Sequence, residues 1–265
     1  KERGTNINFC FLLSGVGGAD GRVHSAWNHL EAFLELVFDR HNIAPEKVRM
    51  QAILDGRDSA VNGSIVSKDG VGDFIGQLQI SLGKYGAESS LAWVVGRSIA
   101  MDRDYREAAA KADFDLITGG AGEQATTYDD VRSIVAATHE SGKTDQDVPS
   151  IAVLRADGSV PAIEVGDAFV DLNFRSDRQR SKIASLAGAR AFLESEGRSR
   201  GRDWEGSWID HNLDLDICAI AEYHPIFEAE HGVSVAFHTV PHAENFLAQW
   251  PHSIGSDEYT LVAES

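Results

Sequence analysis

The chain has 265 residues, with 41 acidic against 24 basic side chains and a formal net charge of -17 at pH 7. That balance repels nucleic acid and anionic membrane, so an anionic ligand has to be won by a local concentration of cations. No apolar run approaches the roughly 18 residues that span a bilayer and no signal-peptide pattern opens the chain, so the expectation is a cytoplasmic protein with a core of its own.

In chain order, an apolar run at 7–13 predicts a strand, followed by a glycine-rich loop. An amphipathic helix is expected over about 24–40, with Trp27, Leu30, Phe33, Leu34 and Val37 at helical spacing. A second strand is expected at 48–54, a helix within 64–82, a strand at 91–95 and a helix over 105–116. The spacing then predicts a helix over 128–140, with Thr127 as its cap and Asp129 and Asp130 in its first turn. Strands at 151–154 and 168–174 precede a helix over 180–194. The run Glu196 to Asp203, three arginines among glycines and a serine, reads as a mobile surface connector in preference to an anion-binding lid. Short strands are expected at 215–221 and 233–237. The alternation predicts an α/β fold in a single domain, with a mostly parallel or mixed sheet flanked by helices.

Three clusters of arginine and aspartate follow predicted strands: Asp55-Gly56-Arg57-Asp58, Arg97 to Asp104, and Asn173-Phe174-Arg175-Ser176-Asp177-Arg178. Open α/β sheets bind ligands beyond the carboxyl ends of their strands. A guanidinium offers a planar fork of donors that fits carboxylate and phosphate oxygens in pairs, so converging strand-end arginines suit a small polyanion. Taken singly, each Arg-Asp pair has a plainer reading as a surface ion pair of little energetic weight. Arginine outnumbers lysine 17 to 7, which suits anion recognition but equally fits genome composition or a salty habitat. Cys10 and Cys218 lie in apolar stretches and read as buried free thiols. His238 and His242 flank Pro241, which breaks any shared helical face, so a surface role outweighs metal binding.

These motifs, with Gly-Arg-Val-His-Ser at 21–25 and Gly-Lys-Thr-Asp at 142–145, occur in an order that resembles the cofactor-independent phosphoglycerate mutases. The resemblance runs from about Asn8 to at least Phe237 and covers the phosphotransferase, substrate-binding domain of that family. It implies that 2- or 3-phosphoglycerate is the ligand. It further implies that a phosphatase-like domain, absent from this sequence and supplied in cis or in trans, carries a nucleophilic serine and two manganese ions. No cofactor or metal is expected on the chain itself, and alone it is expected to be inactive. Carried over by motif, His24 contacts the transferring phosphoryl group, and Arg57 and Asp58 lie beside the glycerate hydroxyls. Asp58 then serves as general base or acid, while Arg97, Arg103, Arg175 and Arg178 clamp carboxylate and phosphate.

The sequence departs from the family's pattern in three places. The 14–25 loop is longer and Ala26 replaces a histidine; Ser59-Ala60-Val61 replaces a proline-rich turn; and Ser256 to Tyr259 lacks a substrate-binding lysine. Those departures keep two further readings open. One is a stand-alone binding protein or divergent enzyme for a phosphoglycerate-like or phosphonate metabolite; the other is a non-catalytic scaffold.

Overall fold

Strand β1 (Ile7–Leu13) shows how the core is laid out. Side chains alternate along a strand, and here both alternating sets are apolar from Phe9 onward. Phe9, Phe11 and Leu13 join one buried cluster, whereas Cys10 and Leu12 join another on the opposite face. A strand buried on both faces belongs at the centre of a parallel sheet with helices on either side. The computed structural model, which describes residues 6–14, 24–58, 61–65 and 73–238, has that arrangement.

Eight strands form one sheet. Besides β1 they are β2 (Val48–Leu54), β3 (Leu91–Gly96), β4 (Glu123–Ala125), β5 (Ile151–Val153), β6 (Ala168–Asp171), β7 (Asp216–Ala221) and β8 (Ser234–Phe237), in the order β4-β5-β3-β2-β1-β6-β7-β8. All neighbours are parallel except β3 and β5, which run antiparallel. One face is covered by α1 (Trp27–Leu34), which continues as a π-helical turn over Glu35–Arg40, by α2 (Phe74–Gly83) and by α5 (Tyr128–Glu140). The other face carries α3 (Arg97–Ala100), α4 (Glu107–Gly119), α6 (Arg180–Leu186), α7 (Arg190–Ser199) and α8 (Pro225–His231). Among the described residues no helix is long and apolar enough to cross a membrane.

From β1 the chain steps outward through β2 and β3, then returns to the other side of β1 with β6. The order reverses between β1 and β6, and such a switch point leaves a crevice beyond the carboxyl ends of the two strands.

Several expectations need correction. The helix expected over 180–194 is two helices, because Gly188 takes a left-handed φ of 67° between α6 and α7. The connector expected over 196–203 is helical as far as Ser199 and is packed. Arg200 lies 4.5 Å from the centroid of the Tyr105 ring and bonds Glu196, and a Cβ on Gly197 would lie 2.4 Å from the Trp204 indole. Strand β4 and helix α8 were not expected, being too short to show a period. Pro225 opens α8, and the His224 imidazole caps it by accepting from the Ile226 N–H. Cys10 is buried and Cys218 half-buried, and both thiols are free. The α5 expectation holds in detail, with Thr127 and Asp130 forming a reciprocal capping box.

Candidate anion-binding site

The three arginine clusters sit at the carboxyl ends of β2, β3 and β6, and His24 follows β1 in the chain. Three strands therefore deliver charge to one rim of the sheet, with β1 between β2 and β6. Arg97 is its centre. Its side chain is only 2% exposed, and one guanidinium nitrogen, Nη1, donates both to Asp55 and to Asp58 Oδ2, the latter at 2.5 Å. The other terminal nitrogen, Nη2, lies 3.3 Å from His24 Nε2. Because arginine only donates, His24 Nε2 accepts and the ring proton sits on Nδ1, which faces Asp177 Oδ1 at 3.8 Å. Asp55 also accepts from the Asp58 backbone N–H at 3.2 Å, so a single buried carboxylate orients both the turn and the cation.

The electrostatics follow from this packing. Burial, and after it the positive charge of Arg97, lowers His24 to about 4, so the imidazole is neutral at pH 7. For Asp58 burial raises the pKa, but the hydrogen bond and charge of Arg97 outweigh it and hold the carboxyl below the usual range. Burial and the charges of Arg97 and Arg103 pull Arg178 downward, the mark of cations crowded together.

Arg57, Arg97, Arg103, Arg106 and Arg178 line one cleft of about 170 Å³, with Asp102, Asp104, Ser98 and Gln146 on its wall. Arg57 and Arg103 are exposed and their side chains make no hydrogen bond or ion pair among the described residues. Arg178 is buried and donates to the Met101 carbonyl at 3.2 Å. The loop bearing Arg103 is braced on both sides. Asp102 holds the Arg106 guanidinium at 2.8 Å and its backbone N–H at 2.7 Å. Tyr105 takes a φ of 52°, which is unfavourable for a side chain with a Cβ, and its carbonyl is held by the Trp204 indole at 2.9 Å. Arg175 stands apart from the cleft wall. It is half-exposed, pairs with Asp177 at 3.1 Å and meets the site through that carboxylate.

A larger cleft, of about 620 Å³, opens at the opposite end of β2 and β3, beside Val48, Leu91 and Tyr128. Its buried Arg49 is taken by Asp167 and Glu164, and Glu46, Glu88 and Asp129 share its lining with Arg155. Three carboxylates against two guanidiniums do not favour a polyanion, whereas the smaller cleft sets five arginines against Asp102 and Asp104, so size is a poor guide here and the smaller cleft is the candidate site.

The structure thus brings together Arg57, Asp58, Arg97, Arg103, Arg178 and His24, and connects Arg175 at one remove. Sequence reasoning gave no role to Asp55, Asp177 or Gln146, although Asp55 stands in a quoted motif three residues before Asp58. Residues 15–23, 59–60, His242 and the 256–259 stretch lie outside the described residues.

A family model described as "BPG-independent PGAM N-terminus" matches residues 1–223. A 2,3-bisphosphoglycerate-independent phosphoglycerate mutase of Salinibacter ruber is 36% identical over 183 residues, covering 67% of this chain and 32% of that protein. One of Thiobacillus denitrificans is 33% identical over 196 residues, covering 74% of this chain and 34% of its own. The chain therefore spans about a third of the length of the curated relatives it matches. A crystal structure of Leishmania mexicana phosphoglycerate mutase at low cobalt concentration superposes with a TM-score of 0.64 and 20% identity, covering 90% of this chain and 39% of that one. At that identity the likeness establishes the fold alone. By the family match and by these relatives together, the chain belongs to the family of N-terminal, phosphotransferase domains of 2,3-bisphosphoglycerate-independent phosphoglycerate mutases.

Proposed function

We propose that the chain holds 2- or 3-phosphoglycerate beyond the carboxyl ends of β3, β2, β1 and β6, as the substrate-binding part of a glycolytic, cytoplasmic mutase. A phosphatase-like domain, in cis or in trans, completes the reaction with a nucleophilic serine and two manganese ions. The observation that carries the reading is the convergence of five arginines, four of them from three strand ends, on one small cleft, in a chain whose net charge is -17.

The described residues do not fit a metal centre. They contain no group of three or more His, Cys, Asp or Glu able to hold an ion. Where carboxylates and imidazole do meet, at Asp55, Asp58 and His24, the Arg97 guanidinium lies between them. No step is therefore assigned to a metal on this chain.

The groups divide the work by exposure. Arg57 and Arg103, exposed at the rim, take the incoming carboxylate and phosphate oxygens, and Arg178 closes the cleft from below. Arg97 neutralises Asp58, which makes that carboxylate a weak base. An anion entering beside Arg97 competes for the guanidinium, and the proton affinity of Asp58 rises as its share falls. Asp58 then accepts the hydroxyl proton as a phosphoryl group arrives on that oxygen, and gives a proton to the leaving oxygen as one departs. The same negative charge favours protonation of His24, which can then donate to a phosphoryl oxygen.

The test is reconstitution. The pure chain should not interconvert 2- and 3-phosphoglycerate with or without manganese, and turnover should appear when a phosphatase-like domain is supplied. In that system Asp58→Asn should abolish turnover while sparing most ground-state binding, since an amide keeps the shape but takes no proton. Interconversion by the pure chain would place the nucleophile here and overturn the division of labour. Binding that persists while reconstitution fails would favour the second reading, a binding protein for a phosphoglycerate-like metabolite, which the missing lysine in the 256–259 stretch supports.

A further inference from the structure

We propose that Asp145, the last residue of the Gly-Lys-Thr-Asp motif, is a positioning residue for this site, and that the segment 145–148 is the seat on which two of the arginine-bearing loops are held. The inference rests on the phosphoglycerate reading for its ligand but not for its geometry.

Asp145 is wholly buried and lies outside the cleft, yet three donors converge on its carboxylate. Ser64 Oγ donates to Oδ1 at 2.5 Å, the Ser64 backbone N–H to Oδ2 at 2.9 Å, and His139 Nε2 lies 2.8 Å from Oδ1. The backbone N–H of Asp145 donates in turn to the Val61 carbonyl at 3.0 Å. Serine, carboxylate and imidazole here are not a nucleophilic set, because the carboxylate stands between the other two and the imidazole does not receive the hydroxyl proton. Their effect is to fasten the chain that follows Arg57 and Asp58 to the end of α5.

The glycines before two site arginines lean on the same segment. Gly56, at a φ of 62°, precedes Arg57, and a Cβ on it would lie 2.9 Å from both Asp145 Cβ and Gln146 N. Gly96 precedes Arg97, and a Cβ there would lie 2.3 Å from the Gln146 carbonyl oxygen. Gly96 N–H donates to the Val148 carbonyl at 2.9 Å, and Ser98 Oγ to the Gln146 carbonyl at 2.5 Å. Two loops forty residues apart in sequence, at Gly56 and Gly96, are thus set against one short stretch, which fixes where Asp58 meets Arg97. Alanine at 145 removes both acceptor oxygens. Asparagine is the conservative change, because its amide oxygen can take the Ser64 N–H while its N–H₂ donates to the Ser64 hydroxyl and to a neutral His139, both of which can accept.

The experiment uses the full chain labelled with 15N, with Asp145→Ala, the milder Ser64→Ala, and Ile217→Ala in β7 as a destabilising control remote from the seat. Arg97 guanidinium resonances and calorimetric affinity for 3-phosphoglycerate are measured on each folded variant. Asp145→Ala should shift the Arg97 resonances and weaken binding by about tenfold, the equivalent of losing one charge-assisted hydrogen bond. Ser64→Ala should do both to a smaller degree, and the control should lower the melting temperature with neither effect. Unshifted Arg97 resonances in folded Asp145→Ala or Ser64→Ala, or an equal shift in the control, would overturn the proposal. If the wild-type chain binds no 3-phosphoglycerate, the phosphoglycerate reading fails and the Arg97 resonances alone decide the question of the seat.

Discussion

Replacing Arg97 by alanine tests the electrostatic core of the site without any ligand. The Asp55 carboxylate is fully buried and Asp58 mostly so, with side-chain exposures of 0% and 22%. Among the described residues, without the guanidinium, Asp55 keeps only the Asp58 backbone N–H as a donor. Removing one partner of a buried ion pair costs about 3–5 kcal/mol, because the remaining charge stays buried and uncompensated. Against a typical stability of about 5–15 kcal/mol the loss is large. It corresponds to a fall in melting temperature of roughly 6–20 °C for a domain of this size. Arg97→Lys should fall between wild type and alanine, since an ammonium keeps the charge but cannot span both carboxylates and the imidazole. The Arg97→Met, Asp55→Leu pair should recover part of the loss, because apolar replacement of a buried ion pair is often neutral or better. Denaturant unfolding of the four proteins at pH 7 and low salt measures this. A loss of less than about 1 kcal/mol for Arg97→Ala would refute the reasoning, as exposed ion pairs give such values.

Two further outcomes follow from burial and charge. His24 has a folded pKa of about 4 against 6.5 for the free side chain, so the unfolded chain takes up its proton first as pH falls. The stability it contributes is present above about 6.5 and is lost as pH drops toward 4, on the order of 2 kcal/mol by pH 5. His24→Gln should flatten the stability profile between pH 7 and 5 relative to wild type, and parallel profiles would count against the assigned environment. On the opposite side of the sheet from α1, Lys182 Nζ is buried with Asp113 Oδ2 at 2.5 Å and Gln51 Oε1 at 2.6 Å. Lys182→Ala should destabilise the protein by about 3–5 kcal/mol, leaving Asp113 without its cation. A shift below about 1 kcal/mol in urea unfolding would show that the pair is hydrated.

How much of this could be read beforehand depends on the range of the physics involved. The bounds of β1 and β2 follow from seven-residue runs that are mostly apolar, interrupted by Asn8 in the first and by Arg49 and Gln51 in the second, and the α5 cap from a local pattern of Thr127 and Asp130. The strand-end placement of Arg57, Arg97 and Arg178 was legible because strand alternation with helices implies an open sheet with a binding rim. The counter-charges were not. Whether Asp55 neutralises Arg97 depends on the β2–β3 register, which puts Leu54 beside Gly96 and is fixed by contacts across forty residues. The clamp role expected of Arg175 is likewise not one that its motif could place. Its side chain turns to Asp177 in the same turn, a local pairing that competes with the cleft. The helix break at Gly188 was hidden by apolar spacing that continues through Ala187 and Ala189.

The central claim is that the cluster of strand-end arginines is an anion site for phosphoglycerate. The most direct measurement is titration calorimetry of the pure chain with 3-phosphoglycerate at low and physiological salt, with Arg103→Ala beside it. The account predicts saturable binding that weakens as salt rises and a loss of about 1.5–3 kcal/mol on removing Arg103, the range for a hydrogen bond to a charged group. No saturable heat from the folded chain at millimolar ligand and low salt, or an affinity indifferent to Arg103→Ala, would contradict it.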